Sequence, residues 1–250
     1  LGVIAIILSG IMLKKTKLFA GEATPFVMEL PEYHMPTVKS ILLSMWERVK
    51  GYIIKAGTII FLSTIVIWFL MNFGDAGEGF GLLDPDAPDY MEHSLMAGLG
   101  NLLAWIFAPL GFDNWQATAT AVTGLVAKEN IVGTLGVLYG GGDGSVYDAM
   151  AAAFTGVTAY SFLVFNLLCA PCFAAIGAIK REMNNSKWTW FAIGYQCGFA
   201  YVIALMINQF GSLFTGSANI LGVIVSVILL AGIIYMLCKP YKEATKLAVK

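Results

Sequence analysis

Trp115-Gln-Ala-Thr-Ala-Thr-Ala-Val-Thr-Gly124-Leu-Val-Ala-Lys128-Glu129-Asn-Ile-Val-Gly-Thr-Leu-Gly-Val-Leu-Tyr139 decides the reading of this chain. Lys128 and Glu129 are the only charged side chains between Asp113 and Asp143, and everything around them reads as membrane-buried. A charge at bilayer depth costs about 3 kcal/mol on insertion scales and more on others, so it marks a pathway or a site. The stretch Thr123–Asn130 is also polar and glycine-bearing, as a broken membrane helix would be. The pattern points to part of a transporter or a channel.

Composition agrees. Of the 250 residues 58% are hydrophobic and 12% charged, where a soluble domain carries about 25% charged residues. Mean hydropathy is +0.75. The chain is therefore expected to be an all-α polytopic membrane protein. A net charge of -1 offers no basic field for nucleic acid. Cys169, Cys172, Cys197 and Cys238 all fall in apolar stretches, which argues against a secreted disulfide framework.

Working outward, Leu1–Leu13 is apolar but too short to span a bilayer, which needs roughly 20 residues. Lys14, Lys15 and Lys17 follow it, the reverse of a signal peptide. It reads as the end of a transmembrane helix, so the chain is expected to be a piece of a longer protein. Three prolines within Pro25–Pro36 forbid a continuous helix there. Thr37–Lys50 is amphipathic and is expected to lie on the membrane surface. Gly51–Phe73 reads as a span and Gly74–His93 as an acidic loop. Ser94–Ala108 is a short apolar helix closed by Pro109 and Gly111. Ala149–Ile179 is one long apolar segment containing Pro171, and Trp188–Phe210 and Ala218–Cys238 are further spans. The basic segments Lys14–Lys50, Lys180–Lys187 and Lys239–Lys250 are expected on the cytoplasmic side and the acidic loop outside. Ser94–Tyr139 then leaves and returns to the outer face, as two spans or as a re-entrant hairpin.

Three constellations have the chemistry for a site. In Cys169-Ala-Pro171-Cys172 the thiols share one face if the backbone stays helical, and Pro171 frees the carbonyl of Leu167. Thiolates suit iron, copper and zinc. The same residues also fit a structural kink with small apolar cysteines, or a redox dithiol. Lys128 and Glu129 point in different directions on a helix, so they are not a self-neutralising pair. Glu129 either lines a water-filled path or caps a helix break. Met28 and Glu29, in Met28-Glu29-Leu-Pro31-Glu32-Tyr33, place a thioether and a carboxylate beside a break, or form an ordinary turn. Gly140–Ser145 lacks the Lys-Ser/Thr of a phosphate loop, and no Walker A pattern occurs in the sequence.

The string Pro25-Phe-Val-Met28-Glu29-Leu-Pro31-Glu-Tyr33, then Gly124-Leu-Val-Ala-Lys128-Glu129, Cys169-Ala-Pro-Cys172 and Ile179-Lys-Arg-Glu182, resembles the FeoB family of ferrous-iron transporters. The match runs in order through essentially the whole chain. The resemblance implies the C-terminal part of a membrane domain built from two Gate repeats. The segments would be 1–24, a helix end and cytoplasmic loop; 25–50, the Gate-motif break and interfacial helix; 51–93, a span and outer loop; and 94–250, the second Gate repeat with the C-terminal spans. It further implies Fe²⁺ as transported substrate, with Cys169, Cys172, Glu129, Glu29 and Met28 as iron contacts. GTP and Mg²⁺ would belong to an N-terminal GTP-binding domain before Leu1, leaving no enzymatic activity here. Implied partners are the bilayer of the bacterial inner membrane, that GTP-binding domain, small accessory Feo proteins and further copies of the chain. The C-terminus would be cytoplasmic. Two rivals fit the residues: a carrier of organic solutes such as nucleosides, and a membrane thiol-redox protein.

Overall fold

The computed structural model describes residues 1–16, 37–75, 79–84, 90–126, 128, 130–140, 145–216 and 219–240. Met28, Glu29 and Glu129 lie outside the described residues. The described chain is dominated by helices, as its composition dictates. Without water in a bilayer core, backbone polar groups must be satisfied within the segment, and the helix does this. The chain divides into two compact units, Leu1–Ile54 with Ile228–Lys250, and Lys55–Val227.

The first unit contains α1 (Gly2–Lys14), the start of α2 (Val38–Asn72) and the end of α10 (Ile220–Cys238). Val3, Ile4, Ile6 and Ile7 of α1 are exposed, as residues facing lipid would be. The ammonium of Lys15 donates to the carbonyl of Leu237, at the last turn of α10. The basic ends of α1 and α10 therefore lie together. α2 runs 35 residues without interruption. The amphipathic stretch expected to stop at Lys50 continues through Gly51 into the expected span. One glycine costs a helix only about 1 kcal/mol, and no proline or cap stops it here.

The second unit contains the short hairpin β1 (Phe73–Asp75) and β2 (Phe80–Leu82), paired Phe73 to Leu82 and Asp75 to Phe80. After it come α3 (Leu95–Phe107) and α4 (Trp115–Val126). Ser94 caps α3, its hydroxyl accepting from the amide of Ala97 at 3.1 Å. Pro109 and Gly111 end the helix; Gly111 has φ 90°, which only glycine adopts without strain. The α3–α4 pair is bent by 95°. Each helix is roughly 20 Å long at 1.5 Å per residue, short of a ~30 Å hydrocarbon core. α5 (Asn130–Leu138) follows the next break.

The long apolar segment Ala149–Ile179, broken at Pro171 as the proline implied, also breaks at one further point, so that three helices form. α6 (Val146–Ala153) and α7 (Gly156–Leu168) meet at 97°, and α8 (Phe173–Met183) follows a second break. Thr155 starts α7 by accepting the amide of Thr158 on its hydroxyl at 3.3 Å, a capping preference strong enough to interrupt an apolar run. α9 (Ser186–Thr215) and α10 correspond to the two last expected spans. Among the described residues these two are long and apolar enough to cross a membrane, and each bent pair adds one more if counted as a single span.

The core of this unit is built on the packing of α7 against α9 and of α3 against α4, with α4 also touching α7. Small side chains fill it: Ala117, Thr118, Thr120, Ala121, Ser161, Ala200 and Ala204 are all fully or almost fully buried. Small residues let membrane helices approach closely. Ser161 donates to the carbonyl of Ala204 at 2.9 Å, and Phe112 packs edge-on against Phe162 at 5.2 Å.

Candidate metal path at two helix breaks

A helix that stops inside a membrane leaves its last carbonyls without helical partners. α7 stops at Leu168. Cys169 (φ -59°, ψ 165°) and Cys172 (φ -58°, ψ 159°) are extended, and Pro171 between them forbids helix resumption until Phe173. The two thiols therefore do not share a helical face, as they would have done had the backbone stayed helical. Cys169 is buried and Cys172 half-buried.

The freed carbonyls meet Lys128. Its ammonium donates to Asn166 O at 2.8 Å, Cys169 O at 3.2 Å and Leu167 O at 3.4 Å. A cation at a helix C-terminus is also favoured by the macrodipole. One charged side chain at the α4–α5 break thus closes the α7–α8 break, some forty residues away. Gly124 lets α4 come this close to α7. A Cβ placed there would stand 2.8 Å from Ile131 Cδ1 and 3.0 Å from Asn166 Oδ1.

A second freed end is treated the same way. The carbonyl of Pro109, after α3, accepts from Gln209 Nε2 at 2.7 Å and Asn208 Nδ2 at 3.2 Å, both on α9. Tyr201, also on α9, donates to Ile106 O at 2.7 Å. The oxygens Asn208 Oδ1 and Gln209 Oε1 are buried.

Of the residues singled out in the sequence, the structure brings Lys128 to the backbone of Cys169. It does not bring Cys169 and Cys172 together on one helix. No group of three or more His, Cys, Asp or Glu side chains able to hold a metal occurs among the described residues. Sequence reasoning missed Cys197, whose Sγ lies 3.6 Å from Cys169 Sγ. Its signal was faint: a thiol flanked by Gly194 and Gly198 within Gly194-Tyr-Gln-Cys197-Gly198.

Short broken helices whose ends are capped from distant helices define a polytopic helical membrane domain. The chain belongs to the FeoB family. It matches the model described as "Ferrous iron transport protein B C terminus" over residues 1–48 and the Gate model, described as "Nucleoside recognition", over residues 53–186. It is similar to the Fe(2+) transporter FeoB of Methanocaldococcus jannaschii, at 38% identity over 85% of this chain and 31% of that protein. Similarity to the Fe(2+) transporter FeoB of Staphylococcus aureus is 37% over 86% of this chain and 31% of the relative. A Porphyromonas gingivalis protein named as a fusion of Fe(2+) transport protein A and FeoB is 33% identical over 86% of this chain and 30% of its own length. The chain thus spans about a third of the length of these curated relatives. No solved structure matches it.

Proposed function

We propose that this chain forms the permeation part of a ferrous-iron importer. The observation that carries the reading is the closure of the Cys169–Cys172 break by Lys128. The ammonium takes up the carbonyls of Asn166 and Cys169, which leaves the buried Cys169 sulfur as the donor open to an ion at a fixed break of a membrane domain. Names of the relatives supply the ion, Fe(2+). Iron(II) stands low in the general order of affinity for such donors, so selectivity rests on geometry and supply, and a transport site binds weakly.

In this reading Cys169 is the dominant metal-contacting thiol, with Cys172, Glu129, Glu29 and Met28 as further contacts along the path. GTP and Mg²⁺ act in a separate GTP-binding domain, and a small Feo protein joins the assembly, as the fusion in the Porphyromonas gingivalis relative suggests. The basic segments, including the C-terminus, face the cytoplasm of a bacterial inner membrane.

The test is Fe²⁺ uptake by cells carrying the complete protein with Cys169→Ser or Glu129→Gln, at matched expression. Both variants lose uptake. Wild-type uptake in both overturns the reading. Intact uptake with Cys169→Ser and loss with Glu129→Gln would remove only the thiol.

A further inference from the structure

We infer that Cys169 and Cys197 together form a two-thiol site for a thiophilic divalent cation, with Cys197, and not Cys172, as the partner of Cys169. The inference deepens the permeation reading above and rests on it for the identity of the natural ion.

The geometry is specific. The two sulfurs stand 3.6 Å apart on different helices, Cys169 at the end of α7 and Cys197 within α9. A metal bonded to both sulfurs at ~2.3 Å would see them at an angle of about 100°, close to a tetrahedral edge. The pair already stands at the spacing that a tetrahedral thiolate ion requires. Cys172 is at the far side of Pro171 and opens α8, so it does not share this placement.

The chemistry closes as well. The two thiols each release a proton to water as the divalent ion binds. Two thiolates then neutralise its two positive charges, so loading adds no charge beyond the Lys128 ammonium already bound to the Cys169 carbonyl. Two protein ligands leave the other coordination positions to water, as suits an ion that must leave again. One sulfur belongs to a helix break and the other to an unbroken helix. A shift of the break therefore changes the distance between the two ligands.

Co²⁺ is the probe. The complete protein, reduced and held in lipid nanodiscs, is titrated with Co²⁺, and thiolate-to-cobalt charge-transfer absorption is read in the near ultraviolet. The wild type and the variant Cys238→Ser are expected to show the band at equal intensity. Cys169→Ser and Cys197→Ser should each lower it at least fivefold, and Cys197→Ala serves if the serine variant does not fold. Absence of a band in the wild type, or a full band in the Cys197 variants, overturns the pair. Fe²⁺ uptake separates the two readings. A full band in the Cys197 variants with uptake lost in Cys169→Ser leaves permeation standing and removes the pair. A wild-type band that depends on both cysteines, with uptake indifferent to Cys169 and Glu129, keeps the site and removes the permeation reading.

Discussion

Lys128→Met removes the ammonium that closes the α7–α8 break and leaves the methylene stem. Two of its three bonds, at 2.8 and 3.2 Å, are well formed, and the third at 3.4 Å is long. Hydrogen bonds with a charged partner contribute ~1.5–3 kcal/mol each, and the lower end applies to a half-buried lysine, giving about 3 kcal/mol for the two good bonds. At 1.4 kcal/mol per tenfold, the break should open about a hundredfold more often. Cys169 is 6% exposed in the closed state, so its alkylation follows that opening. The assay is the rate of maleimide labelling at Cys169, mapped by mass spectrometry, with the exposed Cys238 as internal reference. Lys128→Met should raise the Cys169 rate by one to two orders of magnitude and leave Cys238 unchanged. Lys128→Arg should fall between, because its planar fork fits three carbonyls less well than an ammonium. An unchanged Cys169 rate in Lys128→Met refutes the capping role, and an equal rise at every cysteine shows general unfolding instead of a local release.

Three further outcomes follow from packing and capping. Gly124→Ala puts a methyl 2.8 Å from Ile131 and should lower stability in detergent by about 1–3 kcal/mol, partly recovered by adding Ile131→Ala; thermal unfolding of the single and double variants checks this. Gln209→Leu should destabilise by about 1 kcal/mol, and the double variant Asn208→Leu/Gln209→Leu by more than the sum of the singles, because both amides serve the one carbonyl of Pro109; a double-mutant cycle on denaturation midpoints measures the excess. Gly51→Ala should raise stability by up to about 1 kcal/mol, and spin labels from Met45 to Thr58 should show one unbroken helical period; a jump in mobility at Gly51 would contradict a continuous α2.

The fold was legible where the physics is local. Pro109 with Gly111, and Pro171, announced helix ends because proline removes a donor and clashes with the preceding turn. Runs of apolar residues announced α9 and α10. The bend at Thr155 was less legible: its cap competes with an apolar stretch that by itself continues as helix. Continuity through Gly51 was equally hard to read, because a change of amphipathic character does not require a change of backbone. The candidate site was half legible. Lys128 stood out because a charge in an apolar run needs an explanation. Its partners did not, since backbone carbonyls carry no sequence signature and lie 38–41 residues away. Cys197 escaped notice for a related reason. A thiol in an apolar helix reads as a small hydrophobe until another thiol is found beside it.

α9 is the unbroken helix to which the interruptions are fastened. Cys197, Tyr201, Ala204 and Asn208 follow one another at offsets of 4, 3 and 4, so they line one stripe along it, with Gln209 about 100° further round. Through that stripe pass the sulfur contact to Cys169, the bonds to Ile106 and Pro109, and the carbonyl that holds Ser161. A helix ~10 Å across that turns by 30° about its axis carries its surface groups about 3 Å sideways, farther than a hydrogen bond tolerates. Such a turn would disengage the side-chain fastenings together, like the teeth of a clutch, while the backbone carbonyl of Ala204, nearer the axis, would move far less.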